Sequence, residues 1–291
     1  MIVREIEART LLSSIRPPDP TFGLRYNFNL YRGCQHQCIY CDSRSECYQI
    51  EDFAHEILVK SNAIALLDQE LARKRQRGTI GTGSMNDPYM PCEAHIQLTR
   101  RALQVILKHR FPVHVITKSN LVRRDADILE EIAKVYAAVS FTITTADDAL
   151  GRKLEPGAPP VSERLAAIRE LSGRGIYCGV TLMPVLPFLT DNEENLTAIV
   201  RLAAEAGASY ILPGFGVTLR DRQRAYFYQQ LERLFPGLSA RYEAAFGQRY
   251  HCAPRRPGPL EERFRQLCQE YGLATHMAVY RPDGARQLSL F

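Results

Sequence analysis

The chain alternates strand-like and helix-like segments six times in succession, and this alternation limits the folds that it can adopt. Short runs of β-branched and apolar residues, such as 113–117, predict strands. Each run precedes a longer segment with the apolar spacing of a helix. The predicted strands lie at 25–31, 79–82, 113–117, 138–144, 177–183 and 210–212, and the predicted helices at 54–75, 93–109, 125–135, 160–173, 191–206 and 218–235.

A helix between successive strands returns the chain to the same end of the sheet, so six such units predict a parallel sheet. Right-handed crossovers would curl six strands into a partial (β/α)6 barrel of the TIM type. A complete barrel needs eight units, which the remaining residues do not supply; a flat doubly wound sheet is the alternative. We therefore expect an α/β fold with a partial barrel and its N-terminal lead-in over 1–236. A short α-rich extension over 237–291 should pack on the barrel, with helices at 239–246 and 259–271 and a strand at 275–280.

Three cysteines, Cys34, Cys38 and Cys41, follow the first predicted strand with the spacing C-x3-C-x2-C. Thiolates are the ligands of iron–sulfur clusters. Three of them on one loop can bind three irons of a [4Fe–4S] cluster and leave the fourth iron open to a substrate or cofactor. His36, inside the loop, is expected to point away, because consecutive loop ligands would crowd each other.

Soft sulfur ligands also suit zinc. Structural zinc sites usually have four protein ligands and paired C-x2-C motifs, and no second pair follows this loop. Cys47 is the nearest candidate for a fourth ligand. The pattern therefore favours the open cluster, with a zinc site and unmetallated thiols as the alternatives.

The composition is that of an ordinary soluble protein, with 45% hydrophobic and 24% charged residues. It contains no apolar run of membrane length and no secretory signal at its N-terminus. Eight cysteines in so large a chain, several of them clustered, do not resemble a disulfide scaffold. These features predict a cytoplasmic protein without membrane contact.

The formal net charge of +5 is compatible with a polyanionic partner but does not imply one. The pair Arg255-Arg256 is flanked by proline on both sides, which prevents a regular helix there. It is a candidate anion contact, although solvated basic pairs are common.

Chemistry in parallel α/β sheets collects at the carboxyl ends of the strands. Besides the cysteine loop, these ends carry Asn86, Lys118 and Thr142. We expect these side chains to surround one cavity with the cluster at its rim.

Several motifs together resemble the radical S-adenosylmethionine (SAM) superfamily, and within it the branch similar to spore photoproduct lyase. The matching motifs are Tyr31-Arg32-Gly33-Cys34, Cys38-Ile39-Tyr40-Cys41, Asn86-Asp87-Pro88-Tyr89, Ile116-Thr117-Lys118-Ser119 and Leu154-Glu155-Pro156-Gly157. The resemblance extends over about 27–195.

The resemblance implies a [4Fe–4S] cluster on Cys34, Cys38 and Cys41 that binds SAM and cleaves it reductively. The resulting 5′-deoxyadenosyl radical would abstract hydrogen from a substrate. It also implies cofactor contacts for four residues. Lys118 would supply a cation to the carboxylate, Thr142 and Asn86 would supply hydrogen-bonding groups, and Tyr40 would lie near adenine. Gly214 and Gly216 would allow the backbone to approach adenine, or serve only as turn glycines.

Two positions depart from the family pattern. The lyase has a hydrogen-donating cysteine three residues before its Asp-Pro pair, and this chain has Ser84. A serine O–H bond is much stronger than a thiol S–H bond, so Ser84 is a poor hydrogen donor to a carbon radical. Asp42 replaces an aromatic residue after the third cluster cysteine. Cys92 is a conceivable substitute thiol, although a structural role suits it better, and Cys252 is unassigned.

Two functions remain open. The first is a radical SAM enzyme that acts on an unidentified substrate, with a nucleic-acid lesion or modified base as one candidate. It would need an external electron donor of the flavodoxin or ferredoxin type, and we expect a monomer. The second is a non-catalytic, metal-stapled binding protein with Cys47 as a fourth ligand and Arg255-Arg256 as an anion contact.

Overall fold

A computed structural model describes residues 2–53, 55–83 and 85–282. The strands are β1 (Ile2–Ile6), β2 (Ser13–Ser14), β3 (Leu24–Asn27), β4 (Tyr31–Arg32), β5 (Glu56–Lys60), β6 (Thr79–Gly81), β7 (Val113–Thr117), β8 (Ala137–Thr142), β9 (Tyr177–Val185), β10 (Tyr210–Phe215), β11 (Val217–Thr218) and β12 (His251–Cys252). The helices are α1 (Ala63–Ala72), α2 (Glu93–Ile96), α3 (Leu98–Lys108), α4 (Ala126–Ala133), α5 (Asp148–Leu154), α6 (Val161–Gly173), α7 (Glu193–Glu205), α8 (Asp221–Leu234), α9 (Leu238–Phe246) and α10 (Pro257–Glu270). Short 3₁₀ turns cover Asp42–Arg44, Glu46–Tyr48 and Asn120–Asp125.

The main sheet has the strand order β10-β9-β8-β7-β6-β3-β2. Strands β3 and β6 to β10 run parallel, and only β2 pairs antiparallel, at one edge. Within the described residues β3 and β10 do not pair, so the barrel stays open. The predicted partial (β/α)6 barrel is therefore confirmed, and the central strand β8 is buried along its whole length.

Residues 56–60 form a strand, although the sequence pattern predicted one helix over 54–75. Strand β5 lies between β1 and β4 in a separate three-stranded sheet. Ile57 and Val59 are buried and their neighbours are half-buried, which is the period-two pattern of a strand. The helix α1 begins only after this strand; Ala54, where the predicted helix began, lies outside the described residues.

Two further predictions need correction. The predicted helix over 93–109 is broken at Gln97, which has a φ of 53°. The Glu93 carboxylate accepts hydrogen bonds from the main-chain N–H groups of Leu98 and Thr99, and so caps a new helix, α3. The strand predicted over 275–280 is absent from the described residues, where only an isolated bridge joins Ala274 to Tyr210.

The segment after 237 contacts the preceding part of the chain through the hydrophobic core and through a pair of short strands. Phe264 and Leu267 of α10 belong to the main hydrophobic core, and β12 pairs antiparallel with β11. The helices expected near 239–246 and 259–271 correspond to α9 and α10. The division into two domains at 236/237 stays a prediction. No helix among the described residues is long and apolar enough to cross a membrane.

Candidate active site at the carboxyl ends of the barrel strands

One cavity of about 280 Å³ lies at the carboxyl ends of the parallel strands. Cys34, Cys38 and Cys41 line it from the loop that follows β4. The predicted cofactor residues Asn86, Lys118 and Thr142 line it from the ends of β6, β7 and β8. The structure thus brings together six side chains that are up to 108 positions apart along the chain.

A second cavity of about 550 Å³ adjoins the first, and Cys41 and Ser43 line both. Tyr40, Gly214 and Gly216, the residues predicted near adenine, all line this second cavity. Gly216 has a φ of +110°, and a Cβ there would lie 2.6 Å from the carbonyl oxygen of Cys252. The pairing of β11 with β12 therefore requires this glycine, whatever occupies the cavity.

The three cysteine thiols are enclosed to different degrees. Cys34 and Cys38 are buried, and Cys41 is half-buried. Burial raises the pKa of Cys34, and nearby Asp87 and the other thiols add to this effect. Burial also raises the pKa of Cys38 to about 12, although Lys118 acts in the opposite direction. The Cys34 and Cys38 thiols are therefore protonated at neutral pH unless a metal centre displaces the protons.

The Lys118 side chain supplies a positive charge to the cavity. Burial tends to lower its pKa, but Cys38 and Glu155 outweigh this effect and raise it. Within the described residues its ammonium group forms no hydrogen bond, and it lies 5.7 Å from the centre of the Tyr40 ring. A charged donor with unused hydrogen-bonding capacity can bind an anionic ligand group.

Asn86 and Thr142 differ in how their polar groups are used. The Asn86 Oδ1 atom is inaccessible to solvent and has no hydrogen-bond partner among the described residues. An orphaned buried acceptor needs a donor from a ligand or water. The Thr142 hydroxyl already pairs with the Thr181 hydroxyl at 2.9 Å, although it keeps further hydrogen-bonding capacity.

A buried carboxylate beneath the cysteine loop carries a network that the sequence did not indicate. Glu155 accepts hydrogen bonds from the Tyr40 hydroxyl, from Arg164 at 2.5 Å and from the Thr144 hydroxyl at 3.3 Å. Burial tends to raise the Glu155 pKa, but Arg164 and Lys118 outweigh it and lower it. The only sequence signal was an acidic residue in the motif Leu154-Glu155-Pro156-Gly157, to which no role was given. Glu155 thus fixes Tyr40 between two of the cysteines.

The main chain of the same motif forms hydrogen bonds with the main chain of the cysteine loop. Ile39 N–H donates to the Leu154 carbonyl at 2.9 Å, and Gly157 N–H donates to the His36 carbonyl at 2.9 Å. A Cβ at Gly157 would lie only 2.0 Å from the Gln35 carbonyl oxygen. The loop therefore lies directly on the glycine, with no room for a side chain.

His36 was expected to point away from the site, but it lines the first cavity. Its Nδ1 atom lies 3.0 Å from the Gly157 carbonyl. Its Nε2 atom lies 3.1 Å from Asp87 Oδ2, which is ion-pair distance without the geometry of a directed hydrogen bond. His36 thus ties the loop to the strand ends, because Asp87 also accepts from the Thr117 hydroxyl and the Lys118 main chain.

The remaining candidates lie apart from the first cavity or outside the described residues. Cys47 is exposed and does not line the cavity. The main-chain N–H of Cys92 donates to the Gln35 side chain at 2.6 Å, and Cys252 is buried in a second hydrophobic cluster. Asp42 pairs with Arg220 at 2.6 Å at the second cavity. Ser84 lies outside the described residues.

The donor set can be tested against the two metal centres that the sequence left open. A structural zinc site brings four ligands onto one ion. No three His, Cys, Asp or Glu side chains in the described part of the chain are arranged to hold a single ion. A [4Fe–4S] cluster instead places each thiolate on a different iron, so its ligands lie further apart. Three thiols on one cavity fit the cluster with an amino-acid-like ligand, because an ammonium and an amide oxygen beside them have no hydrogen-bond partner in the part of the chain that the structure describes.

Comparison with known proteins identifies the family. A sequence model of the Radical SAM superfamily matches residues 28–200. The chain belongs to the radical SAM superfamily. It is therefore a radical SAM enzyme. The matched residues include the cysteine loop, the Glu155 motif and the strands up to β9 whose ends line the two cavities.

Two relatives are similar in sequence to this radical SAM enzyme. An uncharacterized protein of Mycobacterium tuberculosis is 32% identical over 277 residues, which cover 93% of this chain and 81% of that protein. A protein of Pseudomonas phage M6 named radical SAM Nalpha-GlyT isomerase is 25% identical over 145 residues, or 50% of this chain and 30% of that protein.

The fold agrees with that of a solved spore photoproduct lyase. A mutant of spore photoproduct lyase with bound AdoMet and dinucleoside spore photoproduct superposes with a TM-score of 0.69 at 16% identity. The match covers 95% of this chain and 82% of that one. At this identity the likeness concerns the fold, and at that level it confirms the predicted resemblance to the lyase.

Proposed function

We propose that this radical SAM enzyme holds a [4Fe–4S] cluster on Cys34, Cys38 and Cys41 and uses it to cleave SAM reductively. The observation that carries the proposal is the first cavity, where these three thiols lie with the Lys118 ammonium and the Asn86 Oδ1 atom, neither of which has a hydrogen-bond partner within the described residues. When bound, the cluster and SAM supply a 5′-deoxyadenosyl radical that removes a hydrogen atom from substrate.

The chain's own residues would bind and orient the cofactor. The Lys118 ammonium would pair with the carboxylate of the methionine moiety, since both groups are charged and enclosed. The Asn86 Oδ1 atom can accept a hydrogen bond from the amino group. The Tyr40 ring, fixed by Glu155, would lie against the adenosyl moiety in the second cavity. Its wall is largely apolar at Met183, Pro184 and Phe215.

Anaerobic reconstitution with iron and sulfide tests this function. We expect brown protein whose absorption falls on reduction with dithionite, and release of 5′-deoxyadenosine from SAM. Replacing Cys38 with Ala should abolish both properties. The matched control is Cys47→Ala, which alters an exposed thiol of the neighbouring turn and should preserve them. Colourless protein with one zinc that depends on Cys47 would instead support the metal-stapled binding protein.

We propose a nucleic-acid lesion or modified base as the substrate class. The support is the relation to a phage protein named for Nalpha-GlyT isomerisation and the fold shared with a lyase solved with a dinucleoside photoproduct. The net charge of +5 is compatible with a phosphate backbone. A base would have to leave its stack to reach the cavity.

A comparison of substrates tests this class. Formation of 5′-deoxyadenosine should rise with oligonucleotides that contain damaged or modified pyrimidines. When the base carries deuterium, the label should enter the 5′-deoxyadenosine. Stimulation by a peptide mixture alone would contradict the assignment. Because Ser84 replaces the donor cysteine, we do not expect hydrogen return by the lyase route.

The remaining proposals concern the cellular location, oligomeric state and electron donor of the enzyme. We propose a cytoplasmic monomer that receives electrons from a flavodoxin- or ferredoxin-like protein, because the reaction consumes one low-potential electron per SAM cleaved. Size-exclusion chromatography and turnover with purified flavodoxin and its reductase, in place of dithionite, test these two points.

A further inference from the structure

Arg44 is a buried cation without an anionic partner in the described part of the chain. It is 7% exposed, and its Nε atom is inaccessible and has no hydrogen-bond partner among residues 2–53, 55–83 and 85–282. The guanidinium donates to the Gln37 side chain at 2.6 Å. A buried charge is costly unless an opposite charge compensates it, so this position requires an explanation.

The aromatic neighbours of Arg44 provide only part of the compensation. The guanidinium lies 3.7 Å from the centre of the Tyr226 ring and 4.5 Å from that of the Phe53 ring. Such cation–π contacts hold an arginine in place but carry no negative charge. Glu51 and Asp52 line the same surface hollow, yet neither forms an ion pair with Arg44, and Asp52 pairs with His55.

Hydrogen bonds connect Arg44 to the loop that carries the cluster cysteines. It follows Cys41 by three residues, and its N–H donates to the Cys41 carbonyl at 3.3 Å. Gln37, which accepts from Arg44, donates to the Cys34 carbonyl at 2.7 Å. Burial lowers the pKa of Arg44, whereas Tyr226 and the three cysteines act in the opposite direction. Hydrogen bonds thus tie Arg44 to the cysteine loop, directly at Cys41 and through Gln37 at Cys34, and thiolates at a metal centre there would supply the missing negative charge.

We infer that Arg44 is the counter-charge of the iron–sulfur cluster and raises its reduction potential. This inference rests on the proposed cluster. A thiolate-ligated cluster becomes more negative by one unit on accepting an electron, and a fixed cation in a low-dielectric environment stabilises the reduced form more than the oxidised form. Arg44 would thus make the cluster easier to reduce without ligating iron or contacting SAM.

Redox titration of the reconstituted full-length protein, followed by electron paramagnetic resonance, tests the inference. Arg44→Gln should make reduction at least tenfold less favourable, which for a one-electron couple is a fall of 59 mV or more. Arg44→Lys, which keeps the charge, should recover most of this loss. The control is Arg233→Gln, which removes an exposed charge of helix α8 whose side chain donates to the neighbouring Gln230 and should change the potential little, because exposed charges are screened.

A second measurement covers variants that load iron poorly. The melting temperature of each protein is compared with and without the cluster. If Arg44 is the counter-charge, loading should stabilise Arg44→Met less than the wild type. If Arg44→Met lowers the melting temperatures of the loaded and the empty protein by the same amount, the inference is overturned in favour of a packing role. An unchanged potential in well-loaded Arg44→Gln would also overturn it. A wild type that binds no cluster would instead refute the proposed function.

Discussion

Replacing Gly157 with Ala should displace the cysteine loop, because the loop's backbone lies on this glycine. The new Cβ would lie 2.0 Å from the Gln35 carbonyl oxygen and 3.0 Å from the His36 Cα atom. Real Cβ contacts essentially never fall below 3.0 Å, so the loop has to move by about 1 Å. The obstacle is main chain, which cannot rotate aside as a long side chain can.

The cost can be estimated from the contacts that the shift would break. Overpacking of this kind costs about 1–3 kcal/mol. The hydrogen bond from Gly157 N–H to the His36 carbonyl and that between His36 Nδ1 and the Gly157 carbonyl are worth about 1 kcal/mol each. A total of about 3–5 kcal/mol corresponds to a fall of roughly 6–10 °C in the melting temperature, at about 2 °C per kcal/mol for a chain of this size.

Calorimetry of the empty protein and iron analysis after reconstitution measure the effect. The matched control is Gly173→Ala, because a Cβ at Gly173 meets nothing within 4 Å and Gly173 closes helix α6. That change should stabilise the protein slightly, by about 0.5–1 kcal/mol. Equal melting temperatures and equal iron contents in the two variants would refute the argument that Gly157 supports the loop.

Three further predictions follow from individual contacts. Glu155→Gln leaves the buried Arg164 unpaired and should destabilise the protein by about 3–5 kcal/mol, measured by urea unfolding; a change below 1 kcal/mol would show that the pair is not buried in solution. Burial tends to raise the pKa of Asp87, but His36 and two hydrogen bonds outweigh this effect and lower the pKa to about 2. The charged form therefore adds about 2 kcal/mol to the free energy of unfolding. This contribution is present above pH 4 and is lost as the pH falls towards 2. The advantage of the wild type over Asp87→Asn should therefore shrink across that window in the empty protein, and a constant difference would contradict it. Lys118→Met should weaken SAM binding by about 10–100-fold, since a hydrogen bond to a charged group is worth about 1.5–3 kcal/mol; titration calorimetry on the loaded protein measures this, and an unchanged Kd would remove Lys118 from the site.

The parallel sheet was predictable from the sequence because each β/α unit has its own local pattern. The run 113–117 and its successors are short, apolar and bounded by turn residues, and the strand-end rule then placed Asn86, Lys118 and Thr142 on one cavity. Segment 56–60 was missed because Ile57 and Leu58 follow Ala54 by three and four residues, and Val59 precedes Ala63 by four, which also fits a helical spacing. It pairs with β1 and β4, and the periodicity of a local segment does not predict such non-local pairing.

The groups that support the site were not predictable for a related reason. Glu155 and Arg44 are charged residues in unremarkable local sequence, and only the fold places them beneath Tyr40 and beside the cysteine loop. Their importance depends on burial, which charged residues rarely show. Likewise, Gly157 was one residue of a matched motif, and its contact with Gln35 joins segments more than 120 positions apart.

The most direct test of this account is Mössbauer spectroscopy of isotopically enriched, reconstituted protein before and after SAM is added. The account predicts a [4Fe–4S] cluster in which one iron changes its signal when SAM binds, because Cys34, Cys38 and Cys41 leave that iron without a protein ligand. Signals that do not respond to SAM in fully loaded protein, with every iron bound by a side chain, would contradict it.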